Sequence, residues 1–440
     1  MKKLNFFWNQ LTSTFWFVPS LIIVGTIAIA IISIYIDGIV EISHRGIGRY
    51  LFIDSADSAR SILTTISGAM IGVAGTVFSI TLVALTLASS QFGPRLIKNF
   101  MYDRLNQVVL GSYVATYIYC LIVLNTIKEN GDMDFLPSIS ILLSLFASLS
   151  NIILLIVFIH HIATTIQADK VISDISESLN KNLNVLFPEK IGEEHGEDHE
   201  PKEQEIKESY SNKTKIKAPK SGYLQYINND SLLQKVNDMS GLIELHYRPG
   251  DYIVFSVEAA TIFTNKELSD EQINFFTNQI IISETRNKYQ DAEHSIHQMV
   301  EIAVRALSPG VNDPYTAISC IDNLTSTMCY LTTVKFPSKY RYNEDGDLRV
   351  IADALTYEGM LDAAFNQIRQ FASGSPSVVI RLLEALITIH EFTHRPYYKR
   401  AVKIHAKMVL NMASDSFDEH NDFIDVKKRS QLIFGDGSDQ

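Results

Sequence analysis

Residues 61–90, SILTTISGAMIGVAGTVFSITLVALTLASS, carry no charged side chain. As a helix rising about 1.5 Å per residue they reach about 45 Å, well past the roughly 30 Å of a bilayer's hydrocarbon core. The run predicts a transmembrane helix that tilts, kinks or protrudes. Its composition sets it apart: Ser67, Gly68, Gly72, Gly75, Thr76 and Ser79 recur at intervals of three or four, a small, weakly polar stripe on a helix otherwise faced with Ile, Val and Leu. Gly68 and Gly72 make a GxxxG step. Such a stripe suits close helix packing in lipid, and its hydroxyls also suit the wall of a pathway.

Three further spans are expected around it. Upstream, residues 15–36 (FWFVPSLIIVGTIAIAIISIYI) are uncharged and of spanning length, with Trp8, Phe15, Trp16 and Tyr35 placed where aromatics settle at headgroup depth. The basic start MKKLNFFWNQ precedes an apolar run too long for a signal peptide and without a small-x-small cleavage pattern, so it reads as a retained anchor. Downstream, residues 107–127 and 139–162 are again long and nearly uncharged. None of the four cores as bounded here holds an acidic or basic residue, which disfavours a proton- or ion-coupled transporter. Lys2, Lys3, Arg95, Lys98, Arg104 and Lys170 fall on one side and predict it to be cytoplasmic, with both termini inside. Arg45, Arg49 and Arg60, in the opposite loop, count against that assignment.

Charge divides the chain. Residues 1–170 hold ten Lys/Arg and nine Asp/Glu, so the remainder carries −12 of a total of −11. An acidic remainder without a basic, aromatic-interleaved stripe is repelled by phosphate backbones, so nucleic acid is not an expected partner. Cys120, Cys320 and Cys329 lack metal-type spacing, and an odd count in so long a chain indicates no disulfide framework.

Behind the spans a polar helix is expected near 163–186, then a charged linker over 189–220, where half of the 32 residues are charged. From Ser221 the texture is globular, with a strand GYLQYI, a helix opening at Asp230, and strands on either side of a turn at 248–251, where Pro249 fixes φ and Gly250 tolerates a positive one. Helical patterns follow near 291–307, 314–333, 347–372, 376–393 and 396–413, and the tail beyond 416 reads as peripheral. The expected architecture is an all-α membrane half of four transmembrane helices (1–165), a connecting helix and linker (166–220), a small α+β or barrel-like cytoplasmic domain (221–290), a cytoplasmic helical bundle (291–415) and a tail (416–440).

Few residues point to chemistry. The stretch RALSPGVNDPYTA, 305–317, stops one helix with Ser308, Pro309 and Gly310 and starts the next with Asn312, an Asp313 cap and Pro314 at the first helical position. With Arg305 it is a candidate ligand loop, although structure alone accounts for each residue. His294, His297 and Glu301 share a helix face without the HExxH order of a zinc site, and a solvated face explains them as well. No Walker A, strand-linked GxGxxG or GxSxG sequence occurs, and no cofactor, metal or catalytic residue is assigned. Gly93 and Pro94 are expected to break the second helix at the membrane face, with Arg95 beside its C-terminus or lipid phosphate.

The segments SITLVALTLASSQFGPRLIKNFM and RALSPGVNDPYTA, with SGYLQYI, RPGD and Gln290-Asp291, resemble a bacterial family of predicted membrane proteins known as domain of unknown function 2254. The likeness covers most of the chain. Gly93-Pro94-Arg95 stands where that family usually has Ser-Pro-Arg, and histidine is not called for at His294 or His297. The resemblance implies a bacterial inner-membrane protein and brings no established activity.

Three functional readings follow. The first is a homo-oligomeric channel or transport-like protein whose second helix packs on symmetry mates or lines a pathway for an ion or small molecule, with a regulatory cytoplasmic domain. The second is a membrane-anchored sensor or scaffold binding a ligand near 248–251 or 308–314. The third is an enzyme acting on lipid or envelope precursors.

Overall fold

The computed structural model describes residues 14–40, 55–94, 103–128, 135–186, 202–286 and 290–435. The chain divides into two compact units, Met1–Lys170 and Val171–Gln440. The first contains α1 (Phe17–Ile39), α2 (Ala56–Phe92), α3 (Arg104–Thr126) and α4 (Ser138–Thr165). Each expected span is a helix, and each is long and apolar enough to cross a membrane.

Helix α3 is the hub of this unit, packing against α1, α2 and α4. Val109, Tyr113, Tyr119, Cys120 and Val123 bury its length. A Cβ at Gly111 would stand 2.9 Å from the Pro19 Cα, so only glycine admits this approach of α3 to α1. Outward, Leu21, Val24, Ile31, Phe146, Leu149, Ile153 and Ile156 are each at least 60% exposed, an apolar shell that hydrocarbon accepts and water does not. Ser55 caps the start of α2 by accepting the Ser58 N–H at 3.2 Å. The helix stops at Phe92, where Gly93 takes φ +107° and Pro94 follows, as the sequence indicated; Arg95 lies outside the described residues.

After the amphipathic helix α5 (Ala168–Leu186), the second unit holds a short α6 (Glu203–Glu208), strands β1 (Asn212–Lys217) and β2 (Gly222–Ile227), α7 (Asn229–Asp238), β3 (Leu242–Leu245), β4 (Tyr252–Ile253), β5 (Glu258–Thr264), α8 (Asp270–Thr277) and β6 (Ile280–Ser283). Then come α9 (Glu293–Ala306), α10 (Pro314–Leu331), β7 (Tyr340–Tyr342), β8 (Leu348–Ala352), α11 (Tyr357–Phe371), α12 (Pro376–Phe392), α13 (Pro396–Ser416) and α14 (His420–Phe434). The strands form two open sheets, ordered β1-β5-β3-β8-β7 and β4-β2-β6, rather than a barrel. Every pairing is antiparallel except β3 with β8. Ile216, Leu224, Ile243, Ile262, Phe276 and Val350 are in the core between these strands and helices.

Three expectations are corrected here. Helix was expected from 347, but Leu348–Ala352 is a strand buried on both faces, paired with β3 and β7, and α11 starts at Tyr357 behind a Thr356 cap. All five residues are buried, Arg349 included, so the strand lacks the polar-out alternation that marks a half-exposed one. The charged linker expected through 220 folds from Lys202 onward, because Ile206, Tyr210 and Ile216 pack inward between its charges. The tail expected to be peripheral forms α14, whose Val426, Ser430 and Ile433 are buried at spacings of four and three and which packs on α12 and α13.

The folded linker is held by a charge cluster. Glu203 accepts from Lys207 at 2.6 Å and from Lys339 and the Tyr340 hydroxyl at 3.1 Å each, while Lys207 also donates to Glu244 at 2.7 Å. These bonds, led by Lys207 and only partly offset by burial, hold the Glu203 carboxyl down at about 2. An unfolded glutamate titrates near about 4.3. The stability Glu203 contributes is therefore complete above that value and lost as pH falls towards about 2. Acid unfolding followed by circular dichroism should show a decline across this window that is shallower in Glu203→Gln; equal slopes would refute the assignment.

Candidate functional site

Helix α2 has two unlike faces. Leu63, Ile66, Met70, Ala74, Val77 and Ala84 are buried at spacings of three, four and seven and hold it to its own bundle. On the other side Gly68, Gly72, Gly75, Thr76 and Ser79 are exposed, and a Cβ added to any of the three glycines would meet nothing within 4 Å. The stripe singled out in the sequence is thus not what packs this helix within the protomer. Ser67 is the exception, being buried on the inner face.

At about 100° per residue the outward face also collects Ser61, Thr65, Thr86 and Ser90, so it runs further than the sequence reading placed it. Continued spacing of small and hydroxyl residues was the available signal. The hydroxyls bond back to their own helix: Thr65 to the Ser61 carbonyl at 2.8 Å, Thr76 to Gly72 at 3.3 Å, Ser79 to Gly75 at 2.9 Å and Thr86 to Leu82 at 2.9 Å. Each donor is satisfied, leaving oxygen lone pairs outward.

Between α1, α3 and α4 run polar contacts that sequence reasoning missed. Helix α1 continues past the uncharged run 15–36 to Ile39 and so includes Asp37. Its carboxylate accepts the Ile139 and Ser140 N–H groups at 2.8 and 3.0 Å and the Ser140 hydroxyl at 2.6 Å, capping α4 from another helix. Tyr119 joins the cluster, with its hydroxyl 3.0 Å from Ser33 Oγ and donating to the Ser140 carbonyl at 3.1 Å. Deeper in, Asn151 is fully buried. Its Oδ1 accepts from Ser112 at 2.6 Å, its Nδ2 donates to Thr116 at 2.9 Å, and its carbonyl takes the Tyr113 hydroxyl at 2.6 Å. Asp103 caps α3 through the Leu105 N–H at 2.8 Å and lies 2.5 Å from His161 on α4.

In the C-terminal unit the loop 305–317 is held by its own contacts. Ser308 donates to the Arg305 carbonyl at 2.6 Å, Asn312 sits at φ +50°, and the Asp313 N–H returns to the Ala306 carbonyl at 2.8 Å. Both Asp313 oxygens serve Thr316, through its N–H at 3.1 Å and its hydroxyl at 2.6 Å. Pro309 and Gly310 are exposed, and Pro314 opens α10 as expected. An anion at this helix start would have to displace Asp313. On α9, His297 Nδ1 lies 3.3 Å from an Arg286 nitrogen, which sets a cation where a metal would have to stand.

The turn at 248–251 is built as its residues indicated. Gly250 takes φ +104°, and a Cβ there would strike Asp291 Oδ2 at 2.6 Å. Asp251 accepts the Arg248 N–H at 2.8 Å. Arg248 meets Glu293 at 2.9 Å, and Arg286 meets Asp291 at 2.6 Å. Burial pushes both carboxyls above their ordinary range, and the arginines oppose it.

Four apolar helices with polar contacts folded between them, followed by a mixed α/β unit and further helices, fit a multi-span membrane protein. Residues 12–388 match the family described as predicted membrane protein (DUF2254), and the chain belongs to it. It is also similar to an uncharacterized protein of Mycobacterium tuberculosis and to one of Mycobacterium bovis, each 28% identical over 381 residues that span 86% of this chain and 72% of the relative. No solved structure matches the chain.

Asp37 gives the direct test of the helix contacts. Asp37→Ala strips the cap from α4 and should destabilise the protein by roughly 1–2 kcal/mol. Asp37→Asn, which keeps one acceptor oxygen, should recover part of the loss in thermal unfolding of the detergent-solubilised protein. Equal stability of all three would show that the cap contributes nothing.

Proposed function

We propose that the protein is a homo-oligomeric channel or transport-like protein of the bacterial inner membrane, in which the outward face of α2 meets its symmetry mates around a pathway and the C-terminal unit regulates it. One observation carries this reading: a face of glycines and hydroxyls on a 37-residue helix is turned away from its own bundle and left unpacked. Against hydrocarbon such a face has little to gain. Glycine weakens the helix by about 1 kcal/mol relative to alanine, and a bare groove forgoes the dispersion that larger side chains would make with lipid. Against a second α2 the same face allows close backbone approach. Its outward oxygen lone pairs could instead face water or a hydrated ion.

The absence of charge on this stripe favours passive conduction over coupled transport. Two partly buried carboxylates of the bundle are already engaged, Asp37 with the α4 start and Asp103 with His161. Both termini and the C-terminal unit are assigned to the cytoplasm, a reading supported by the flanking Lys2, Lys3, Arg95, Lys98, Arg104 and Lys170.

Purified protein reconstituted in planar bilayers should run as an oligomer by light scattering and show reproducible unitary conductance. Gly72→Leu or Thr76→Leu should reduce that conductance by about tenfold or more or abolish it, since a bulky side chain fills the close approach. A monomeric particle would overturn the assembly, and an oligomer silent under all voltages would overturn conduction.

A further inference from the structure

The C-terminal unit contains a cavity of about 50 Å³ whose wall includes Asn229, Tyr247, Arg248, Gln290, Arg341 and Asp353. A single water needs on the order of 10–15 Å³, so this space seats three or four waters or one small polyatomic ion. It is too small for a nucleoside.

The arginines around the two sheets differ in one respect. Arg248 is paired with Glu293 at 2.9 Å, Arg286 with Asp291 at 2.6 Å, and Arg349 with Asp347 at 2.7 Å. Arg341, half-buried on the edge strand β7, meets no carboxylate and no hydrogen-bond acceptor among the described residues. Burial depresses its pKa with nothing opposing, yet a guanidinium stays protonated in any protein. Its charge therefore sits partly desolvated with no counter-charge among the described residues, an arrangement that is costly unless something supplies one.

The other polar groups on the wall are mixed in character, and Arg248 is already paired with Glu293. Arg248 presents a second guanidinium, and Asp353, the acid on the wall, is largely exposed and 3.6 Å from it. Gln290 is occupied with the Ile227 backbone, its Oε1 accepting at 2.9 Å and its Nε2 donating at 3.2 Å. Two forked cations around a space of this size match the geometry of an oxyanion.

We infer that this cavity is a binding site for a small oxyanion of the phosphate type, with Arg341 as its principal ligand and Arg248 as the second. The ion is free phosphate or the phosphomonoester of a headgroup, since both present the same oxygens. The site is independent of whether α2 lines a conduction path.

Isothermal titration of inorganic phosphate into the full-length protein in phosphatidylcholine nanodiscs, at constant ionic strength set with chloride, tests this. Loss of one charge-assisted contact is worth roughly ten- to a hundredfold in affinity, so Arg341→Met should weaken phosphate binding by at least about tenfold. Because that substitution removes an uncompensated charge, the variant should melt in chloride at or above the wild-type temperature, which separates lost binding from lost folding. Binding of free phosphate in phosphatidylcholine alone assigns the anion to solution. An Arg341-dependent rise in melting temperature that appears only with phosphatidic acid in the nanodisc assigns it to a headgroup. No response in either membrane, or an equal response from Arg341→Met, would overturn the site.

Discussion

Hydrocarbon offers no partner to a donor or acceptor, and in the N-terminal unit every other feature follows from that. Apolar exteriors on α1 and α4 give the helices no reason to associate that lipid would not also satisfy. What distinguishes one arrangement from another is where the polar groups find each other. Asn151, fully buried in the middle of an apolar helix, is met by Ser112, Tyr113 and Thr116 along a single stretch of α3. Asp37 meets the open N-terminus of α4. A rotation of α4 by one residue would separate both sets at once, so these contacts fix register as well as affinity.

The same requirement gives meaning to the surface that is left over. Helices α1 and α4 turn bulky aliphatic residues outward, whereas the outer side of α2 mixes exposed Ile71, Phe78, Leu82, Val83 and Leu87 with a stripe of glycine and hydroxyl. Nothing in the packing of one protomer calls for that choice. It is the basis for placing a second copy there.

The sequence disclosed the four apolar helices readily, because charge-free runs of spanning length have few alternatives. Helix ends at Gly93 and Pro314 and the turn at Gly250 were also legible, each from a local backbone constraint. Other features escaped for physical reasons. Asp37 lies a single residue beyond where the uncharged run ends, and only the position of α4 reveals that it caps another helix. The strand at 348–352 shows no regular alternation because both its faces are covered, with Arg349 buried among apolar neighbours. Charged residues at 203–217 look like a solvated tether until Lys339 and Tyr340, from far along the chain, complete the cluster around Glu203. Arg341 gave no signal at all, since an arginine with no partner among the described residues is recognised by its surroundings alone.

The single parallel pairing, β3 with β8, has a consequence for biosynthesis. Ile243 pairs with Val350, so an inner edge of the larger sheet stays open while more than a hundred residues of α9, α10 and the intervening chain leave the ribosome. Closing so long a loop is slow compared with forming the helices within it. During that interval β3 offers unpaired backbone groups to any neighbouring nascent chain. Products cut short before residue 348 would keep that edge permanently open, and quality control should find them as aggregates rather than as soluble fragments.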